Sequence, residues 1–557
     1  MPLICSSGTR AWARAITVSS DAIDSARRMC QSSGRNPRSI VGERRSRHWR
    51  AVAREVNYLG MIALMIRRGS LLAALALSAV SPARAQFPAS EYAQRRSALL
   101  AQIPDGIVVS LGAHEPVQDY LSFYQTPSFN YLTGFLEPDA VLVMTKSGGA
   151  TASTLFVEPR IPAREVWVGA RLGVEAARQR TGLSTRDVGE WPAVLDSLAS
   201  ARIPLYVIGD FPADDVGAAG ALTPDQQVVA ALRRRHPELV VKNATPNVEQ
   251  LRAVKSAGEI ALIRAAADIT ARAQRAAMLA LEPGLNEFEI QALIEYVFRR
   301  NGAERPSFAS IVGSGPNATT LHYNADDRFI ERGDLVVMDI GASYKGYAAD
   351  VTRTIPAGGV FSPRQRAIYQ IVRDAQAAAE SQAKLGAPAH LMSDTASAIL
   401  AAGLTRLGLI ESPTATYDCD FGGQVSQCPQ LQLYYMHGLG HGIGLEVHDP
   451  EQYYYTQTIA AGSAFTIEPG IYVRADVLDV LARTPRNAAL VAKLRPVVEQ
   501  YRNIGVRIED DYVATPAGVE WISRAPRELA EIESLMKLPR TTLTPRDSTL
   551  INHYRRP

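Results

Sequence analysis

Two aspartates stand out in DLVVMDIGASYKGYAADVTRT, residues 334–354. Asp339 interrupts an apolar, strand-like run, and Asp350 follows Ala348-Ala349. A hairpin with a four-residue loop at 343–346 would set Ala342 opposite Tyr347 and Asp339 opposite Asp350. Like charges opposed on paired strands are destabilising, and a bound cation removes that penalty. The alternative is that one aspartate is solvated at a strand edge. Glu468 in FTIEPGIYV and Glu509 in GVRIEDDYVAT also sit in β-rich runs. A charge there is costly to bury unless it is paired or coordinated. Taken singly, each glutamate reads as a turn or edge carboxylate, with Asp510 and Asp511 as solvated neighbours.

The segment HGLGHGIGLEVHD, residues 437–449, holds three of the nine histidines, spaced H-x3-H-x6-H. A zinc-binding helix would read H-E-x-x-H. His437 and His441 have the i, i+4 spacing, but glycines at 438, 440, 442 and 444 disfavour a helix. The segment reads as a loop or irregular strand in which backbone crowds a site and one histidine is a ligand. Two aspartates, two glutamates and one histidine gather four negative charges, enough for two divalent ions. Such oxygen-rich ligation suits Mn²⁺, with Co²⁺ or Zn²⁺ also admitted by an imidazole. Two ions can hold a bridging hydroxide near neutral pH and polarise a carbonyl, which points to metal-assisted hydrolysis.

These residues need strands to carry them. Residues 91–242 alternate short β-rich runs (106–112, 140–146, 153–159, 203–210) with helical stretches such as 188–200, the pattern of an α/β domain with a central sheet. Asn243-Ala244-Thr245-Pro246 is turn-like and marks a boundary. Two helical pieces, 248–254 and 257–281, lead into residues 247–530, where helices at 288–302 and 362–382 flank strand-like runs at 307–315 and 334–355. That pattern is α+β. Residues 540–557 form a polar tail.

The first 85 residues are of another kind. Residues 65–86, MIRRGSLLAALALSAVSPARAQ, have the charged start, short apolar run and A-x-A site of a secretory signal peptide, cleaved near Ala85. A buried core helix is the alternative, and the run is too short to span a bilayer comfortably. Residues 1–64, rich in Arg and Ser, read as a mis-annotated or disordered leader, with Met61 or Met65 as the natural start. These 85 residues carry 14 of the 59 basic and 4 of the 56 acidic side chains. The remainder is therefore net −7, with 45 basic against 52 acidic, and shows no basic stripe for a nucleic acid. Export to an oxidising compartment, periplasmic or secreted, favours a disulfide between Cys419 and Cys428 over two free thiols.

In this order the motifs resemble aminopeptidase P, the X-Pro aminopeptidases of the pita-bread metallopeptidase superfamily that also holds prolidase, methionine aminopeptidase and creatinase. The resemblance covers residues 91–525. FNYLTGFLEPDAVLV (129–143) and EVWVGARLG (165–173) are similar to the family's N-terminal domain. SIVGSGPNATTLHY, VVMDIGASYKGYAADVTRT, HGLGHGIGLEVHD, TIEPGIYV and GVRIEDDYVAT follow in the family's order. The resemblance implies Asp339, Asp350, His441, Glu468 and Glu509 as metal ligands, and Glu468 also in proton transfer. It implies His322 and His448 near the substrate, with His437 and Arg507 in support. The implied reaction is hydrolysis between an N-terminal residue and a following proline, through a hydroxide bridging two ions. The implied partners are peptides with proline second; a homo-oligomer is left open, and no stable membrane anchor is expected. A prolidase acting on dipeptides is the near alternative, and a metal-free binding scaffold on the same fold is the alternative of another class. The segments 415–430 and 475–503 depart from the shortest family members and leave substrate length open.

Overall fold

The computed structural model describes residues 86–540 apart from 119, 202, 210 and 212–221. The leader, the signal-like segment and the tail beyond residue 540 lie outside the described residues.

The first half is built around one six-stranded mixed sheet. Its elements are α1 (Ala89–Gln102), β1 (Gly106–Leu111), α2 (Pro127–Thr133), β2 (Val141–Ser147), β3 (Ala150–Val157), α3 (Pro162–Val168), α4 (Gly173–Thr181), β4 (Ser184–Asp187), α5 (Trp191–Ala199), β5 (Leu205–Ile208), α6 (Pro224–Arg235) and β6 (Val241–Asn243). The strand order is β4-β3-β2-β1-β5-β6. β1 is buried along its whole length because both faces are covered. Ile107, Val109 and Leu111 pack to one side, with Val143 and Val207. Val108 packs to the other, with Leu142 and Tyr206.

A short helix, α7 (Thr245–Arg252), crosses to the second half. It begins at the very Thr245-Pro246 read as a turn, because proline is well placed in a first helical turn, where its missing N–H costs nothing. Next comes α8 (Ala257–Ala280), started by a reciprocal cap between Ser256 and Glu259. Glu259 does further service. It ion-pairs with Arg95 of α1 at 3.2 Å and accepts the Tyr347 hydroxyl at 2.8 Å, tying the two halves together.

The second half runs α9 (Glu287–Arg300), β7 (Arg305–Pro306), β8 (Ile311–Ser314), β9 (Leu335–Ile340), β10 (Ala342–Tyr344), β11 (Tyr347–Ala348), β12 (Val351–Pro356), α10 (Pro363–Gln382), α11 (His390–Leu407), β13 (Thr416–Phe421), β14 (Gln424–Pro429), α12 (Tyr453–Thr456), β15 (Ala464–Ile467), β16 (Gly470–Val473), α13 (Pro485–Tyr501), β17 (Ile504–Arg507), β18 (Asp510–Thr515), β19 (Gly518–Trp521) and α14 (Leu529–Leu535). Small antiparallel sheets, β8-β9-β12 and β15-β18-β19 among them, pack against α8, α9 and α10.

Two expectations are corrected here. The hairpin at 343–348 turns in two residues, not four. Lys345 (φ 51°) and Gly346 (φ 81°) take the left-handed conformation that matches strand twist in a two-residue turn. The register therefore shifts, and Asp339 pairs with Thr352 rather than Asp350. Asp510 and Asp511 are not solvated but fully buried. Arg353, itself 0% exposed, meets Asp510 at 2.6 Å and Arg527 meets it at 2.9 Å, so its charge is matched.

The segments 415–430 and 475–503 form one clasp. β13 and β14 make a hairpin around Gly422-Gly423, with the Cys419 and Cys428 sulfurs 2.02 Å apart. Asn487 of α13 accepts the Asp418 N–H (3.0 Å) and donates to the Asp418 carbonyl (2.8 Å). Thr484 donates to the Asp418 carboxylate and Arg486 to the Thr416 carbonyl. No residue of either segment lines the cavity described below.

Candidate active site

Asp339 lies near the end of β9, Asp350 just before β12, Glu468 between β15 and β16, and Glu509 between β17 and β18. Their strands converge on one cavity of about 480 Å³, lined also by Leu321, His322, His437, His441, His448 and Arg507. The structure thus brings every sequence-derived candidate to one place, the two cysteines excepted. Asp339, Asp350, His441 and Glu509 are 2–7% exposed, and Glu468 is half-buried. Ligand-type atoms of Asp350, His441 and Glu509 all lie within 4.8 Å of one another. His441 Nε2 stands 3.5 Å from Asp350 Oδ2 and 3.5 Å from Glu468 Oε1.

The histidine segment is the irregular strand that its glycines suggested. Ile443 donates to the Ala464 carbonyl, Thr466 to His441 and Glu468 to Leu439, so residues 439–443 run beside β15. The contact is too close for side chains. A Cβ on Gly440 would stand 2.5 Å from Thr466 Oγ1, and one on Gly442 would stand 2.4 Å from the Asp449 carbonyl. His441 Nδ1 donates to the Gly442 carbonyl at 2.9 Å, which leaves the Nε2 lone pair facing Asp350 and Glu468.

Burial governs the electrostatics. It pushes the Asp350 carboxyl far above its usual value, with Glu509, Asp339 and Glu468 adding to the effect. Glu509 rises likewise, through burial and then the charges of Glu468 and Asp339. Glu468 is pushed up to about 8 by burial, against the pull of Arg507. Burial, and then His448, draws His441 down to about 3; burial, and then Arg507, does the same to His437. Both imidazoles are therefore neutral. Asp339 Oδ1, Asp350 Oδ1 and Glu509 Oε1 are buried and meet no hydrogen-bond donor. Carboxylates accept and do not donate when ionised, so buried oxygens of this kind call for cations. The donor set fits divalent ions.

Beyond Arg507 and His437, which the resemblance had implied, several positioning residues carried no sequence signal. Arg507 donates to Asp339 Oδ2 (2.5 Å), Tyr472 Oη (2.8 Å) and Thr352 Oγ1 (3.2 Å). Thr352 in turn donates to Glu509 Oε2 at 2.7 Å, and His437 Nε2 lies 2.9 Å from Tyr472 Oη. The loop bearing His322 hangs on Glu287, fully buried at the start of α9. Glu287 accepts from the Ser314 N–H (2.6 Å), the Tyr323 hydroxyl (2.8 Å) and the Arg328 N–H (2.9 Å). The loop bearing His448 hangs on Asp449, buried against Arg252 at 3.0 Å. His448 Nδ1 meets Glu451 at 2.5 Å, and its ring lies 3.9 Å from that of His441. Only the capping pattern at Asn286–Glu289 could have drawn attention to Glu287, and it announces a helix, not a loop anchor. A second carboxylate group, Glu115, Asp139 and Glu158, is matched by Arg164, Arg171 and His114.

The model of metallopeptidase family M24 matches residues 261–516, and that of the aminopeptidase P N-terminal domain matches residues 92–206. The Xaa-Pro aminopeptidase of Haemophilus influenzae is 34% identical over 463 residues, spanning 81% of this chain and 98% of that protein. The chain belongs to the Xaa-Pro aminopeptidase family. The Escherichia coli Xaa-Pro aminopeptidase is equally 34% identical, over 80% of this chain and 97% of its own. Among solved structures, proline aminopeptidase P II from Yersinia pestis superposes with a TM-score of 0.66 at 31% identity, over 81% of this chain and all of that one. Zinc-substituted Escherichia coli aminopeptidase P in complex with product gives 0.66 at 30% identity, over 82% and 100%. The two-part architecture, an α/β N-terminal domain before a pita-bread α+β domain, is that of this family.

Proposed function

We propose that this chain is a divalent-metal-dependent aminopeptidase that removes the N-terminal residue from peptides with proline in second position. The carrying observation is the buried donor set of Asp350, His441 and Glu509, whose ligand atoms lie within 4.8 Å of one another, beside carboxylate oxygens without donors. Family membership supports the enzyme reading over a metal-free scaffold, and the named relatives favour an aminopeptidase over a dipeptidase.

In this reading Asp339, Asp350, His441, Glu468 and Glu509 hold two ions, Mn²⁺ by the oxygen-rich donor set. Bound ions would supply an activated water and polarise the scissile carbonyl. Glu468, at the edge of the buried cluster, holds and passes the proton toward the proline nitrogen. His448 faces the reacting carbonyl and stabilises its developing charge, while His322 contacts the substrate from the Glu287-anchored loop. Arg507 orients Asp339, and His437 supports the cluster through Tyr472. We further assign the chain to an exported pool, cleaved near Ala85, where the Cys419–Cys428 pair stays oxidised; N-terminal sequencing of the purified protein checks the cleavage.

Glu468→Gln separates chemistry from assembly. With two ions per chain retained by elemental analysis, turnover of an X-Pro peptide should drop by at least about a hundredfold. Near-normal turnover would sink the assigned role. Wild-type protein that takes up no divalent ion would overturn the metallopeptidase reading.

A further inference from the structure

We propose that Gln274 and Gln376 are positioning residues, each a buried amide staple that holds one pair of carboxylate-bearing strands at the spacing a divalent ion requires. The inference rests on the metal-binding reading above and concerns how the chain keeps that site formed in the metal-free protein.

Four carboxylates crowd one cavity, and like charges push apart the strands that carry them. A β-ladder resists this only where residues pair. The ladder of β9 and β12 starts at Ile340 and Val351, so Asp350 lies one residue beyond it. The ladder of β15 and β18 ends at Ile467 and Asp510, so Glu468 and Glu509 both lie one residue beyond it. The acidic ends are thus the places where strand pairing gives out.

A glutamine closes each end. Gln274 of α8 donates from Nε2 to the carbonyls of Met338 (2.9 Å) and Val351 (2.7 Å). Gln376 of α10 donates from Nε2 to the carbonyls of Ile467 (3.2 Å) and Ile508 (3.4 Å), and to Asp510 Oδ2 (2.9 Å). Met338, Ile467 and Ile508 directly precede Asp339, Glu468 and Glu509, and Val351 directly follows Asp350. Each of the four carboxylates is therefore one residue away from a carbonyl held by one of two amides. Both glutamines are 0% exposed, and neither lines the cavity.

The chemistry explains the residue type. Carbonyls and carboxylates accept, so the amide NH₂ faces them, and its two protons let one neutral atom join two strands. A hydroxyl has one proton to give, and a lysine would bring a charge that competes with the ions. The Oε1 atoms of both glutamines are buried and meet no donor among the described residues. A buried oxygen left unmet is costly, and a methionine would fill the same space without that cost. The amides are kept for their donors. The two staples come from different helices and serve different pairs, so their effects are separable.

The test uses the full chain as wild type, Gln274→Met and Gln376→Met, with Leu400→Ala in the core of α11 as a truncation that removes no hydrogen bond. Chelator competition reads Mn²⁺ affinity. Each glutamine variant should bind about tenfold more weakly than wild type, and Leu400→Ala should stay close to it. Affinity that is unchanged, or that falls equally in Leu400→Ala, overturns the proposal. Hydrogen exchange of the metal-free protein gives a readout without the ion. Gln274→Met should speed exchange across residues 335–356 and spare 464–515, and Gln376→Met should do the reverse; uniform or unchanged exchange overturns the staples. If the wild type takes up no Mn²⁺, the metal reading fails, and the exchange pattern alone judges the glutamines. Should a methionine variant not fold, Gln274→Asn or Gln376→Asn, which keeps the amide but falls one methylene short, takes its place with the same outcomes.

Discussion

Arg507 binds Asp339, Tyr472, Thr352 and the Leu321 carbonyl at once, all from a position 4% exposed. Burial alone would lower its pKa, yet Tyr472, Asp339 and Glu509 raise it well above the usual value, so the cation is permanent. Arg507→Met should weaken divalent-ion affinity by about 10–100-fold, because an unoriented Asp339 loses both geometry and a compensating charge; chelator-competition titration reads this, and unchanged affinity would refute it. His114 offers a pH test away from the site. Hydrogen bonds to Asp139 and then Asp225 raise its pKa to about 10. The folded value exceeds the unfolded one of about 6.5, so the stabilisation is complete below pH 6.5 and disappears as pH rises through about 10. His114 is half-exposed, which limits the effect to about 0.5–1 kcal/mol. The Tm gap between wild type and His114→Ala should shrink from pH 6 to pH 10; a gap that widens would contradict the pairing. At this scale Asp339, Glu468 and Glu509 were legible because each broke an apolar, β-rich run, while Arg507 was reached through the family resemblance alone. Thr352, Tyr472, Arg252 and Glu287 were not, since nothing in their local pattern separates an anchor from an ordinary strand or helix residue.

Elements place these side chains, and the reading of elements failed where one turn decided the register. Lys345-Gly346 gave no clear warning of a two-residue turn, because a lysine in the left-handed region is uncommon. Asp339 and Asp350 still share one cavity, because the strands themselves were placed correctly and other strands supply the convergence. The buried state of Asp510 was hidden for another reason: its partners Arg353 and Arg527 lie on separate segments, so the compensation is visible only in three dimensions. α7 makes the same point. Its Arg252 joins Ser128 of α2 to Glu446 and Asp449 of the histidine segment. Arg252→Met should cost about 3–5 kcal/mol in urea unfolding by leaving Asp449 buried without its guanidinium. Adding Asp449→Asn should recover part of that loss, and a loss that deepens in the double variant would rule out the pairing.

Across the whole molecule, one core ignores the boundary drawn near residue 243. Phe87, Tyr92, Leu132 and Val108 pack in the same cluster as Ile263, Tyr347, Ile443, Ala464 and Val513. The chain should therefore unfold in a single calorimetric transition, and residues 244–540 expressed alone should not reach a native fold; two separated transitions would show the halves to be independent. The clasp between the β13–β14 hairpin and α13 behaves differently. Its partners are far apart in sequence, yet each satisfies polar backbone or side-chain atoms of the other at Asp418 and Asn487. The hairpin is held to the body through α13, whose Leu490, Leu494 and Val498 sit in the main core. Deleting the hairpin alone would return the Asn487 amide to water, whereas deleting α13 would also strip Leu490, Leu494 and Val498 from the core, so the two halves of the clasp are unequal in what they hold up.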